Sequence, residues 1–415
     1  MGMVVRQSSW QNIIGVVTVA IAQGCWCAEP ATLADCRADP STCQIASDSL
    51  LQVASAAQSK KEGIVEDAVE DDPALRAIWT GVLSLDPDCQ TEELTELFEM
   101  YTAAVKSLFD HENHRTFAPF LLTHLPPEFT LQDLALKTRS QLASLEDMGV
   151  TVVPFTSTFY GPRQTAYILS DEDDASRWRC AVGTYARIDV PQVLIDNRVF
   201  QSGHYNTTHV LHTDVDVLWL DSVTQEDWWA MAPKNGCPLS MSYDMKPERV
   251  QPHMDLNGGV LVMEITKFVE LAPVLLEQAI KDRFVFKAYD QSLFNDVLAE
   301  DPPNCATLLS AAWNYKPWWG MHTVEVRDGH SVPVSPRLLH LQGLHPSSGL
   351  ICAAMLATHH RVDCDVDVNA SIGMMAGAEI IQKVMDDMYK ENGYEMLLQA
   401  LVYYYRMLGK QISDV

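Results

Sequence analysis

Two aspartates, Asp214 and Asp216, stand one residue apart inside the apolar stretch His209-Val-Leu-His-Thr-Asp-Val-Asp-Val-Leu-Trp-Leu220. Read as one strand, this stretch carries both carboxylates near its middle, and alternation puts them on the same face. Like charges on one face repel and are costly to bury unless a cation lies between them. A hard divalent ion is the natural partner, because such ions take oxygen ligands.

Two other readings compete with that one. A solvent-facing pair at a strand end needs no ion at all. The same short string also opens haloacid-dehalogenase-type phosphatases, where the first Asp attacks phosphate and the second handles protons. That motif expects a Thr two residues after the second Asp, but Leu218 stands there and the apolar run continues.

Such a pair needs a rigid frame, and the surrounding chain has the pattern of one. Apolar runs of strand length alternate with helical patterns: Ala77 to Leu85, a helix through Glu92 to Phe109, Phe117 to Leu125, a helix through Leu131 to Met148, and Val150 to Phe155. Strand, helix, strand, helix, strand predicts parallel pairing through helical crossovers. After the aspartate stretch come strand candidates Pro238 to Tyr243 and Leu256 to Ile265, then helices over Lys267 to Asp282 and Tyr289 to Leu298. The tail from Ala378 to Leu408 has apolar spacing near 3.6 and reads as two helices broken at Gly393.

The chain has 415 residues, 47% hydrophobic and 20% charged, which is a globular composition able to bury a large core. Its net charge of -26 argues against binding nucleic acid, since affinity for a phosphate backbone comes from Lys and Arg displacing counterions. Acidic runs such as Asp171-Glu172-Asp173-Asp174 read as solvated loops. An uncharged run from Ile13 to Ala22, ending in Ala20-Ile21-Ala22, has the layout of a signal peptide over residues 1–22 and is short for a membrane anchor. Membrane contact is expected only if that segment is retained. Residues 23–73 read as a stem or poorly ordered leader. Ten cysteines and the sequons Asn206-Thr-Thr and Asn369-Ala-Ser suit an oxidising secretory lumen (ER or Golgi) or secretion, with some cysteines paired as disulfides.

Over roughly residues 76 to 348 the sequence resembles the retaining glycosyltransferases of family 8, the glycogenin and galactosyltransferase-like group. The resemblance is carried by Tyr101-Thr-Ala-Ala-Val-Lys-Ser-Leu108, Tyr185-Ala-Arg187, Asp214-Val215-Asp216, Asn257-Gly258-Gly259-Val260, Asp290-Gln291 with Asn295, Trp313-Asn314 and His340-Leu-Gln-Gly343, in that order. The Asp-Val-Asp-Val-Leu-Trp-Leu wording is also similar to a related plant family of nucleotide-diphospho-sugar transferases. The resemblance implies an α/β fold of GT-A type, a Rossmann-like mixed sheet flanked by helices, over residues 74–348, with a C-terminal helical extension over 349–415.

It further implies transfer of a glycosyl group, with retention, from a nucleotide sugar, in kind a UDP-sugar, to a glycan, glycoprotein or small-molecule acceptor. The metal, Mn2+ or another divalent cation, would be held by Asp214, Asp216 and His340. Arg187, Val215, Asn257, Gly258, Gly259, Gly343 and His345 would line the donor site, with Gln291 and Asp290 near the transferred sugar. The family commonly continues with a Lys-Pro-Trp after the Gly; here Gly343-Leu-His345-Pro-Ser stands instead, and Lys316-Pro-Trp318 occurs earlier. That departure admits a second reading, a sugar- or nucleotide-binding protein with little or no turnover. Trp313, Trp318 and Trp319 are candidates either for stacking on an acceptor sugar or for core packing.

Overall fold

The structure is a computed structural model that describes residues 75–86, 92–168, 182–243, 256–285, 289–298, 304–316, 324–327, 330–333 and 335–341, with short pieces near 361, 403 and 412. The readings for residues 1–73, the tail helices, Gly343, His345, Trp318, Trp319 and Asn369 lie outside the described residues.

A seven-stranded mixed sheet is the frame, in the order β3-β2-β1-β4-β7-β6-β8. Its members are β1 (Arg76–Ser84), β2 (Phe117–His124), β3 (Thr151–Phe155), β4 (Tyr205–Thr213), β6 (Leu239–Tyr243), β7 (Leu256–Glu264) and β8 (Ala306–Leu308). The helices α1 (Glu92–Asp110) and α2 (Leu136–Asp147) connect the first three strands, which pair in parallel as the alternating pattern predicts. β4 joins β1 in parallel, while β7 runs antiparallel to both β4 and β6. Mixed pairing places Thr213, the end of β4, directly against Val260 in the middle of β7.

Helices cover both faces, which is why the central strands read as continuous apolar runs. On β1, Ala77, Trp79 and Leu83 pack toward α1 and α2, meeting Phe98, Tyr101, Leu108, Leu142 and Leu145. Ile78 faces the other side, with α4 (Val190–Asp196), α6 (Ile265–Lys281) and α7 (Tyr289–Val297), which contribute Leu194, Phe268, Leu275 and Phe294. The same alternation continues through Leu211 and Val210 on β4 and through Val262 and Met263 on β7. Each fully buried side chain of this size contributes about 1.5–3 kcal/mol. No helix among the described residues is long and apolar enough to cross a membrane.

Two sequence expectations change here. The helix expected over Leu131 to Met148 splits into a 3-10 turn, Leu131–Asp133, and α2, because Thr130 caps the turn with a reciprocal Asp133 bond. The strand expected over His209 to Leu220 also breaks. β4 ends at Thr213, residues 214–216 form a bend, and the chain resumes as the short β5 (Val217–Trp219). The two carboxylates therefore sit at a strand exit instead of mid-strand. Inside the ladder one neighbour's backbone would have flanked each charge, whereas the bend lets both side chains converge on a third group.

Cys237 and Cys305 form a disulfide that joins the entry to β6 and the entry to β8 across 68 residues. The other eight cysteines lie outside the described residues. The Asn206 sequon belongs to the fold: its side chain is buried, and Oδ1 accepts from the Thr208 N–H, the Thr208 hydroxyl and the His209 N–H. A glycan on that amide is incompatible with this packing.

Candidate metal and donor site

The bend after β4 is fixed from several directions. The Trp79 indole N–H donates to Thr213 Oγ1 at 2.9 Å, and that hydroxyl donates to the Asp214 carbonyl at 2.9 Å. The Asp214 N–H donates to the Gly259 carbonyl of β7 at 2.8 Å. On the far side, β11 (Leu338–His340), which follows the hairpin of β9 (Val324–Arg327) and β10 (His330–Pro333), pairs antiparallel with β5, and the Leu341 N–H donates to the Asp216 carbonyl at 2.8 Å. This pairing brings His340 beside two aspartates far from it in sequence.

Asp214, Asp216 and His340 each present one ligand atom, all within 4.8 Å of one another. His340 Nε2 is buried without a hydrogen-bond partner and faces Asp214 Oδ2 at 3.5 Å and Asp216 Oδ1 at 3.4 Å. A buried ring nitrogen aimed between two carboxylates fits a divalent cation with oxygen and imidazole ligands. Burial opposes protonation of His340, yet Asp216 and then Asp214 outweigh it and hold its pKa above the ordinary value.

Arg187 follows Tyr185 in the 3-10 turn Ala186–Asp189 and ties the site together. Its guanidinium reaches Asp214 Oδ1 at 2.8 Å and Asp290 Oδ2 at 3.1 Å, and donates to the Gly258 carbonyl at 2.6 Å and the Thr184 carbonyl at 3.1 Å. Burial tends to raise the Asp214 pKa, but Arg187 first and then His340 hold it below the usual carboxylate range. Asp290, at the start of α7, goes the other way: burial pushes it up to about 6 despite Arg187. The preceding residue, Tyr289, has φ 44°, a strained conformation for a bulky side chain.

The two glycines have unexpected neighbours. A Cβ on Gly259 would lie 2.1 Å from His340 Cε1 and 2.6 Å from Nδ1. One on Gly258 would meet Asp290 Oδ2 at 3.2 Å and Arg187 Nη1 at 3.3 Å. The room at Gly259 is filled by the imidazole, so this glycine lets a site residue approach the backbone.

Asn257 links the remaining groups. Its Oδ1 accepts from the Gly259 N–H at 2.9 Å and from Asn314 Nδ2 at 2.8 Å, while its Nδ2 donates to Gln291 Oε1 at 3.0 Å. Asn295, one turn along α7 from Gln291, clamps the Leu256 backbone with bonds of 2.8 and 3.0 Å and so docks the helix on β7. Val215 is buried in the core, where its Cγ1 lies against Gly81. Trp313 is also buried in that core, so it packs instead of offering a face to a sugar. Lys316 is buried as well.

Sequence reasoning assigned no role to His212 or Asn314. His212 lies two residues before Asp214, and burial first, then Arg187, pushes its pKa down to about 3, so the ring is neutral. Its position on the same strand face as Asp214 was the available signal.

Comparison with protein-family models finds no match, and comparison with curated proteins finds none either. Solved structures do match. One is a galactosyltransferase, LgtC, in complex with donor and acceptor sugar analogs, at 15% identity and TM-score 0.41, covering 75% of this chain and 95% of that one. Another is mouse xyloside xylosyltransferase 1, apo form, at 13% identity and TM-score 0.40, covering 64% of this chain and 97% of that one. A third is the apo-form glycosyltransferase GlyE of Streptococcus pneumoniae TIGR4, at 14% and 0.39, covering 65% and 56%. The α/β architecture itself rests on the strand order described above.

Proposed function

We propose that the chain is a metal-dependent glycosyltransferase of GT-A type, resembling family 8, that takes a sugar from a nucleotide-sugar donor in the secretory lumen. The observation that carries this reading is the convergence of Asp214, Asp216 and the unpartnered His340 Nε2 at the exit of β4, beside Asp290 and Gln291. The geometry also disfavours the phosphatase reading, because Asp214 is occupied by Arg187 and faces an imidazole, which leaves it poorly placed as a nucleophile.

Asp214, Asp216 and His340 would hold Mn2+ or another divalent ion, which would supply electrostatic stabilisation for the charge on a departing diphosphate. Around it, Arg187 holds Asp214 and Asp290 in register, and the neutral ring of His212 adds no competing positive charge. Gln291 and Asp290 stand in the first turn of α7 and, by resemblance, would lie near the transferred sugar. Asn257 holds Asn314 and Gln291, Gly258 and Gly259 leave room for Arg187, Asp290 and the His340 ring, and Gly343 and His345 would line the donor site by resemblance. The resemblance also supports a UDP-sugar donor and retention of configuration.

Incubation with a panel of UDP-sugars and Mn2+ tests the proposal. Hydrolysis or transfer is expected, and Asp216→Asn is expected to lower it by at least about 100-fold while leaving the thermal melt unchanged. Turnover that survives this substitution rejects the metal assignment. Binding of UDP-sugars without turnover favours the alternative, a donor-binding protein whose missing Lys after Gly343 cost it catalysis.

A further inference from the structure

We infer that Asn314 is a positioning residue that sets the tautomer of His340, so that the nitrogen facing Asp214 and Asp216 carries the lone pair. The inference rests on the proposed reading of those three side chains as a cation site, and it adds a residue to which that reading gives no role.

The argument starts from an atom whose hydrogen-bonding role is not in question. A backbone N–H can only donate, and the Gly259 N–H points at Asn257 at 2.9 Å, so the atom it meets is the amide oxygen. Asn314 approaches that same oxygen at 2.8 Å and must do so with its amino group, Nδ2. The same Nδ2 lies 2.5 Å from Ser242 Oγ, a hydroxyl free to accept because its own proton is directed at the Tyr243 carbonyl, 3.5 Å away. With both Nδ2 hydrogens used, the remaining polar atom of Asn314 is its oxygen, and it lies 2.8 Å from His340 Nδ1. An amide oxygen only accepts, so Nδ1 must carry a proton. In the neutral ring Nε2 is then left with its lone pair, directed between Asp214 Oδ2 and Asp216 Oδ1.

Every member of this chain is buried, so water offers Nδ1 no substitute acceptor: Asn314 is 0% exposed, Asn257 2% and His340 1%. Without the Asn314 oxygen the ring would be driven the other way. Two carboxylates beside Nε2 attract a proton there, and an N–H on Nε2 cannot ligate a cation. Histidine ligands generally owe their tautomer to such an outer partner, and loss of the partner weakens metal binding about 10- to 100-fold. The relay also reaches the proposed sugar site, since the Asn257 that orients Asn314 donates its own amide hydrogen to Gln291.

Nitrogen-15 NMR on the full chain with labelled histidine, and His340 assigned by its loss in His340→Gln, reads the tautomer directly. With saturating Mg2+, wild type is expected to keep the proton on Nδ1 and to show Nε2 as the ligating nitrogen. A proton on Nε2, or ligation through Nδ1, overturns the inference without any variant being needed. In Asn314→Ala, calorimetric titration with Mn2+ is expected to give a dissociation constant about 10-fold or more higher. Asn314→Asp, which keeps an acceptor toward Nδ1, is expected to retain the Nδ1–H signal. Unchanged Mn2+ affinity and tautomer in a folded Asn314→Ala protein also overturn it. These readouts need no sugar donor, so a correct tautomer in a protein without transferase activity counts against the proposed function and not against the role of Asn314.

Discussion

Gly259 decides how closely an imidazole may approach the strand that backs it. A methyl group there would stand 2.1 Å from His340 Cε1, 2.6 Å from its Nδ1 and 2.8 Å from the Asn257 oxygen. Gly259→Ala must therefore push the ring out of its seat, and Mn2+ affinity measured by calorimetry is expected to fall at least about 10-fold. Gly258→Ala meets its neighbours at 3.2 Å and above and should be milder in the same assay. At this scale the sequence was partly legible. The type and spacing of Asp214 and Asp216 singled out two of the three residues that the structure brings together, and the glycine pair pointed to a close approach, but which atom approaches was hidden. His340 arrives from a strand more than a hundred residues downstream, and only the pairing of β11 with β5 reveals that it fills the space.

Among elements, the junction between β3 and α4 rests on one buried acid. Asp189 accepts from the Ser157 hydroxyl at 2.6 Å, the Thr158 N–H at 3.1 Å and the Thr158 hydroxyl at 2.5 Å, which ties the end of β3 to the turn before α4. Burial nevertheless pushes its pKa from 3.8 up to about 6. The unfolded chain thus releases this proton first, so between pH 4 and 6 the folded state holds more protons and its stability falls as pH rises. His124, which accepts from the Ser157 N–H, has its pKa lowered by burial to about 4 and works in the opposite sense over the same range. Subtracting an Asp189→Asn variant isolates the acid. Its unfolding free energy in urea should improve relative to wild type by up to about 3 kcal/mol between pH 4 and 7. A flat difference would show that Asp189 ionises normally. The long elements were readable because their apolar periodicity is strong over many residues. α4 and β5, of seven and three residues, were not, since so few positions hold less than two repeats of any pattern.

For the whole molecule, the mixed sheet divides into a parallel half that continues the β1-α1-β2-α2-β3 winding and an antiparallel half built on β7. The Cys237–Cys305 disulfide closes 68 residues of the second half, including β6, β7, α6 and α7. Both cysteines are buried, and removing so long a closed loop should cost about 2–4 kcal/mol. Replacing both with Ser is expected to lower the thermal midpoint by several degrees, and reductant should lower that of wild type by more than that of the variant. The parallel half could be read from alternation in the chain. The antiparallel return of β7 could not, because an apolar strand has the same composition in either direction. The bend at 214–216 and the strands on either side of it have one more consequence. Their backbone bonds to Gly259 and Leu341 hold both aspartates in place before anything binds. On the proposed reading, the ordering of the ligand set is completed as the chain folds. An arriving ion would then wait only for its own waters to leave.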